Sequence, residues 1–181
     1  AKLKAPKGEY DDAIRCCDEC IALENPDDAN SFDGEARFMK MNLGLVKKDF
    51  EQVLKVSEQF VKESKNDTFY YAALYYRAFC TKQLGKDAGA LYKEAISILR
   101  AASLYQPNAI DTYIYRAMAL KDTEQYDKAL ELLDLVSNLG IDVAELHTIR
   151  ADIYQLQGNA VLEKQELETA YQMKPELKPT V

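Results

Sequence analysis

Apolar residues recur along this chain in steps of three and four, and turn residues interrupt the pattern at short intervals. From Ile110 the apolar positions are Tyr113, Ala117 and Leu120, then Ala129, Leu130, Leu133 and Val136. From Ala144 a second series runs through Leu146, Ile149 and Ile153, then Leu162, Leu167 and Ala170. Residues 121–125 and Gln157-Gly158-Asn159 break each series at its middle, while Pro107-Asn108 and Gly140 separate one series from the next. The spacing predicts short amphipathic helices joined in pairs, an all-α chain. With 7 Gly and 5 Pro, the sequence lacks the turn density that a sandwich or barrel needs.

The pairs repeat. Arg116-Ala117 and Arg150-Ala151 stand 34 residues apart, Arg77-Ala78 lies 39 residues before the first of these, and Arg37 a further 40 before that. A helix–turn–helix recurring near 34 residues resembles the tetratricopeptide repeat, whose pattern sets Trp, Leu, Gly and Tyr on the first helix, Ala and Phe on the second and Pro in the loop. In the unit from Ile110 those slots hold Tyr113, Arg116, Ala117 and Leu120, then Ala129 and Leu133, with Ile141 in the proline slot. In the unit from Ala144 they hold His147, Arg150, Ala151 and Tyr154, then Glu163 and Leu167, with Pro175 in place. Glu163 departs from the pattern, because a small residue is expected at the close crossing of the two helices; a splayed or shifted last hairpin is the expectation.

The unit from Tyr71 carries Leu74, Arg77, Ala78 and Thr81, and its second helix fits after an insertion around residues 86–91, with Ala95, Leu99 and Pro107 then in register. The preceding unit is the most degenerate: residues 36–38 register in two ways, and Val53 stands where a small residue is expected. The resemblance implies a right-handed α-solenoid divided into a half repeat with a second helix only (1–28), a degenerate repeat (29–68), a repeat with insertion (69–109), a repeat (110–143) and a last repeat with a short tail (144–181). The chain opens inside a unit at Gly8 and closes without a polar cap helix, so the gene product is expected to extend beyond at least one end.

Charge and chemistry narrow the function. The 23 basic and 30 acidic residues leave a net charge of −7, which disfavours nucleic acid as a partner. The longest apolar or aromatic run, residues 69–76, is far short of the roughly 20 residues a membrane span needs, so no membrane insertion is expected. Cys16, Cys17 and Cys20 crowd one segment with Cys80 far away, the usage of a reducing compartment, and a cytoplasmic location is expected. The three clustered thiols share helix faces that a metal could bridge. No fourth ligand lies nearby in sequence, and Cys17 and Cys20 coincide with packing slots, so packing is the expected role. The lone His147 stands in an aromatic packing slot. With no nucleophile–base pair, phosphate loop or metal constellation, neither enzyme activity nor a cofactor is expected.

In this family the first helices line a concave groove that contacts partner peptides. Carried over by register, the groove residues are Ala72, Tyr75, Phe79 and Lys82, then Asp111, Ile114, Met118 and Lys121, then Glu145, Thr148, Asp152 and Gln155, with Met39 and Asn42 from the degenerate unit. Phe79, Met118 and Asp152 occupy the slot where chaperone-tail binders carry Asn, so that carboxylate clamp is not supported. The expected function is a non-enzymatic scaffold that binds a protein or peptide segment through aromatic and Met anchors. The alternatives are a recognition domain of a larger enzyme, chaperone or signalling protein, and self-association through exposed end repeats.

Overall fold

The computed structural model describes residues 7–23, 33–65 and 67–179. Residues 1–6 and 24–32, which belong to the expected half repeat and its junction with the next unit, lie outside the described residues. Among those described there are nine α-helices and no strand: α1 (Lys7–Ala22), α2 (Asp33–Lys47), α3 (Phe50–Glu63), α4 (Tyr70–Gln83), α5 (Gly89–Tyr105), α6 (Ile110–Asp122), α7 (Tyr126–Asn138), α8 (Ala144–Leu156) and α9 (Ala160–Met173), followed by a 3₁₀ turn at Pro175–Leu177. The chain divides into two compact units, residues 2–95 and residues 96–181, and the division falls within α5. In the first unit α1 packs on α2, α2 on α3, α3 on α4, and α2 also touches α4. In the second, α6 packs on α7 and α8, α7 on α8, and α8 on α9.

One turn design joins the helices of each pair. Lys48, Gly85, Glu124 and Gly158 all have positive φ, between 60° and 74°. The N–H of each bonds the carbonyl three residues back: Leu45, Lys82, Lys121 and Gln155. The N–H of the following residue reaches five back, from Asp49 to Gly44, Lys86 to Thr81, Gln125 to Leu120 and Asn159 to Tyr154. This double closure satisfies carbonyls that the ending helix leaves open, and it needs one left-handed residue. Gly85 and Gly158 adopt that conformation freely; Lys48 and Glu124 do so against the clash of their own Cβ. Gly140 closes α7 in the same way, with Gly140 bonding Ser137 and Ile141 bonding Val136. The insertion after Gly85 lengthens the turn and the helix behind it: α5 has 17 residues against 13 in α7.

The repeated turn fixes the register and corrects one assignment made on spacing. The position eight before the left-handed residue holds Lys40, Arg77, Arg116 and Arg150. Lys40, and not Arg37, therefore belongs to the basic row. Arg37 falls in the aromatic slot with Leu74, Tyr113 and His147. It is buried, its Nε donating to Asp33 at 2.6 Å and its Nη1 to Glu63 on α3 at 3.2 Å. Burial works against that guanidinium's charge, but the two carboxylates outweigh it and raise its pKa. Val53 has a small partner after all: a Cβ built on Gly44 would lie 2.5 Å from Val53 Cγ2. The small residue of this crossing sits on the first helix instead of the second.

Both units build their cores on the same logic. In residues 96–181 the cluster is Tyr113, Ala117 and Leu120 with Ala129, Leu132, Leu133 and Val136, closed by Leu146, Ile149 and Ile153. Ala117 and Ala129, both fully buried, let α6 and α7 approach closely. The last helix buries only Ala170 completely; Leu162, Glu163, Glu166 and Leu167 stay half-buried, since among the described residues α9 has only α8 and the 3₁₀ turn to pack on. On α1, Tyr10, Ile14 and Cys17 face inward at helical spacing. Cys20, expected in a packing slot, is exposed with Cys16 four residues away on the outer side of the helix.

Candidate interaction surface

Aromatic rings organise the first unit. Phe38 on α2 stacks on Phe69 with centroids 4.4 Å apart and planes 12° from parallel, and lies 6.5 Å from Tyr76. Tyr76 meets Tyr75 at 5.8 Å, Tyr75 stacks on Phe79 at 5.8 Å, and Phe79 meets Phe50 edge-on at 6.1 Å. The Tyr76 hydroxyl donates to Asn42 Oδ1 at 3.0 Å, tying α4 back to α2. Such stacking adds about 0.5–1.5 kcal/mol per pair beyond the area buried.

This arrangement leaves an open apolar pocket on α2. A cavity of about 460 Å³ is lined by Glu35, Phe38, Met39, Asn42, Leu43, Val46 and Phe69. Met39 is 56% exposed and Val46 43%, so apolar side chains reach into solvent at its rim. Among the described residues, Glu35 on the first turn of α2 is its one charged lining residue.

Of the expected groove residues in this unit, Met39 and Asn42 line the pocket. Tyr75 does not act as an exposed anchor: only 3% of it reaches solvent, because Tyr76 and Phe79 close over its ring. Ala72 is likewise buried. Phe79 is half-buried against Phe50, and Lys82 is exposed near the end of α4. Spacing alone missed Phe38, because the degenerate unit could not be registered; the turn at Lys48 gives the signal and places Phe38 at the slot of Tyr75.

In the second unit, Ile114 and Met118 are half-buried and pack against the core cluster. Lys121 and Asp152 come together, Nζ to Oδ2 at 2.7 Å, across α6 and α8. Thr148 turns its hydroxyl onto the Glu145 carbonyl, Asp111 and Gln155 are exposed, and Glu145 pairs with Lys174. Burial pushes the Glu145 carboxyl up, but the Lys174 hydrogen bond wins and holds it below the ordinary value. His147 Nδ1 lies 2.5 Å from Glu166 and Nε2 2.8 Å from Asp142, which makes it a clasp between α8 and α9.

The cysteines separate by burial. Burial pushes the Cys80 thiol up to about 12 and also raises Cys17. Among the described residues no group of three or more His, Cys, Asp or Glu side chains is placed to hold a metal, and no helix is long and apolar enough to cross a membrane.

No protein-family profile and no curated protein sequence matches this chain. Solved structures do. TTC0263, a thermophilic TPR protein of Thermus thermophilus, superposes with a TM-score of 0.72 at 20% identity, over 93% of this chain and 85% of that one. The chain has the tetratricopeptide-repeat fold. A tetratricopeptide repeat protein of Parabacteroides merdae superposes with a TM-score of 0.64 at 16% identity, over 92% of this chain, which spans 60% of that protein's length. In this chain the apolar pocket lies on α2, the first helix of the hairpin closed by Lys48.

Proposed function

We propose that this chain is a non-enzymatic interaction module that holds a protein segment against α2. The carrying observation is the pocket around Phe38, Met39 and Phe69: rigid aromatic walls, an exposed Met at the rim and almost no polar lining. A large apolar side chain entering it gains about 1.5–3 kcal/mol from burial. Glu35 at the edge favours a segment with a basic residue beside that anchor. Phe79 and Lys82 extend the same face along α4, and Ile114, Met118, Lys121, Thr148, Asp152 and Gln155 form the corresponding face of α6 and α8. The four free cysteines support a reducing, cytoplasmic setting. The repeat boundaries that go with this reading are 29–68, 69–109, 110–143 and 144–181, after a half repeat over 1–28.

Peptides selected from a random display library against the whole chain test the proposal. They are expected to carry an apolar anchor next to Lys or Arg, and to lose at least tenfold in affinity on Met39→Asp with the melting temperature unchanged. Selected peptides that bind wild type and Met39→Asp equally would refute it.

A further inference from the structure

Three of the four basic-row residues are answered by an acid. Lys40 contacts Asp18 on α1, Arg77 Nη2 donates to Glu94 on α5 at 2.5 Å, and Arg150 Nη2 donates to Asp134 on α7 at 3.1 Å. Arg116 has no acid among the described residues, and its buried Nε finds no acceptor. Arg77 Nε shares that feature, but its charge is met by Glu94.

The reason is written in the register. Arg150 reaches Asp134, sixteen residues earlier, and Ser137, thirteen earlier, at 2.9 Å. The same offsets from Arg116 give Arg100 and Ser103. The serine is kept and the carboxylate is replaced by a second guanidinium. On the other flank, Glu94 stands immediately before the buried Ala95, and the matching residue before Ala129 is Lys128. Both places from which a neighbour supplies a carboxylate are therefore basic here. The Arg100 side chain is exposed and meets no acid among the described residues; Arg116 is half-buried. Burial lowers the Arg116 pKa and the charge of Arg100 lowers it further, as expected of a cation lacking its counter-ion.

We propose that Arg100 and Arg116 form a receptor for a carboxylate of an acidic segment on a partner protein, which supplies from outside what Asp134 supplies to Arg150 within the chain. Two guanidinium groups bind a carboxylate by charge-assisted hydrogen bonds. A carboxylate is the group that the matching position supplies beside Arg150, so the local pair of cations stands on a carboxylate-binding frame. This site is separate from the α2 pocket and does not depend on it.

The test uses a fluorescein-labelled peptide of alternating Glu and Gly, titrated by anisotropy at low ionic strength into the full chain. Arg116→Gln and Arg100→Asp are each expected to weaken binding at least tenfold, while Lys164→Asp, an equal charge change elsewhere, leaves it within twofold. Arg100→Asp also rebuilds the internal pair and is expected to raise the melting temperature, so loss of binding there is not loss of fold. Wild type that does not bind the peptide, or Arg100→Asp that binds like wild type, overturns the proposal. Stronger competition by inorganic phosphate than by acetate at equal charge concentration overturns it in favour of a phosphate ligand.

Discussion

Gly44 and Val53 touch backbone to side chain: a Cβ on Gly44 would stand 2.5 Å from a Val53 methyl that has no room to retreat, since Val53 is fully buried. The α2–α3 crossing depends on that missing methyl. Gly44→Ala gains helix propensity of about 1 kcal/mol, but overpacking a closed crossing costs about 1–3 kcal/mol. A net loss of stability in urea denaturation is expected. Adding Val53→Ala to that variant should return part of it, because the two changes share one contact. An undiminished midpoint for Gly44→Ala would show that the crossing has room for a methyl group.

The left-handed turns give a second prediction with opposite signs. Lys48 and Glu124 hold φ near 60°, where a side chain costs about 1–2 kcal/mol. Lys48→Gly and Glu124→Gly are expected to stabilise by a few tenths to about 1 kcal/mol, after the extra freedom glycine gives the unfolded chain is subtracted. Gly158→Ala is expected to destabilise by about 1 kcal/mol. Thermal midpoints of the three variants check the set.

Thiol labelling separates the four cysteines. Cys16 and Cys20 are exposed, whereas Cys17 and Cys80 are buried, the latter with its thiol pushed up to about 12. Iodoacetamide at neutral pH should modify two sites on the folded chain and four in denaturant, as mapped by mass spectrometry. Rapid labelling of Cys80 would contradict the buried α4 face.

Glu145 and Lys174 set an acid limit on the attachment of the last helix. The Glu145 carboxyl titrates below its ordinary 4.5 when folded, so its contribution is complete above that value and is lost as pH falls through the depressed one. Lys174→Met should therefore lower the melting temperature at pH 7. The difference from wild type should shrink as pH falls through the depressed value and vanish below it. A difference that persists at low pH would mean the side chain matters through packing instead.

The helix pairs were legible in the sequence because the apolar period and the small residues Ala78, Ala117, Ala129 and Ala151 repeat the physics of close crossings. The degenerate unit was not. Its turn residue is Lys48, where glycine would have been a signal, and its small residue moved from the Val53 position to Gly44, so spacing alone assigned Arg37 to the row that Lys40 occupies. The candidate site was legible only in part. Periodicity places Tyr75 on the groove side of α4, yet Tyr76 and Phe79, its neighbours along the same helix, cover its ring. Pairings such as Lys121–Asp152, and the absent acid at Arg116, depend on side chains 16 to 31 residues apart meeting in space, and these appear only once the turns fix the register.

The most direct measurement of the central claim is a ¹³C-methyl methionine spectrum of the whole chain, titrated with a selected apolar peptide. The chain has 4 Met, and they differ in setting: Met39 stands at the pocket rim, Met41 is fully buried, Met118 packs on the second unit's core and Met173 ends α9. Binding in the α2 groove predicts that the Met39 methyl shifts in proportion to peptide bound while the Met173 methyl stays in place. A titration in which Met39 is unmoved and Met118 or Met173 carries the shift would contradict it.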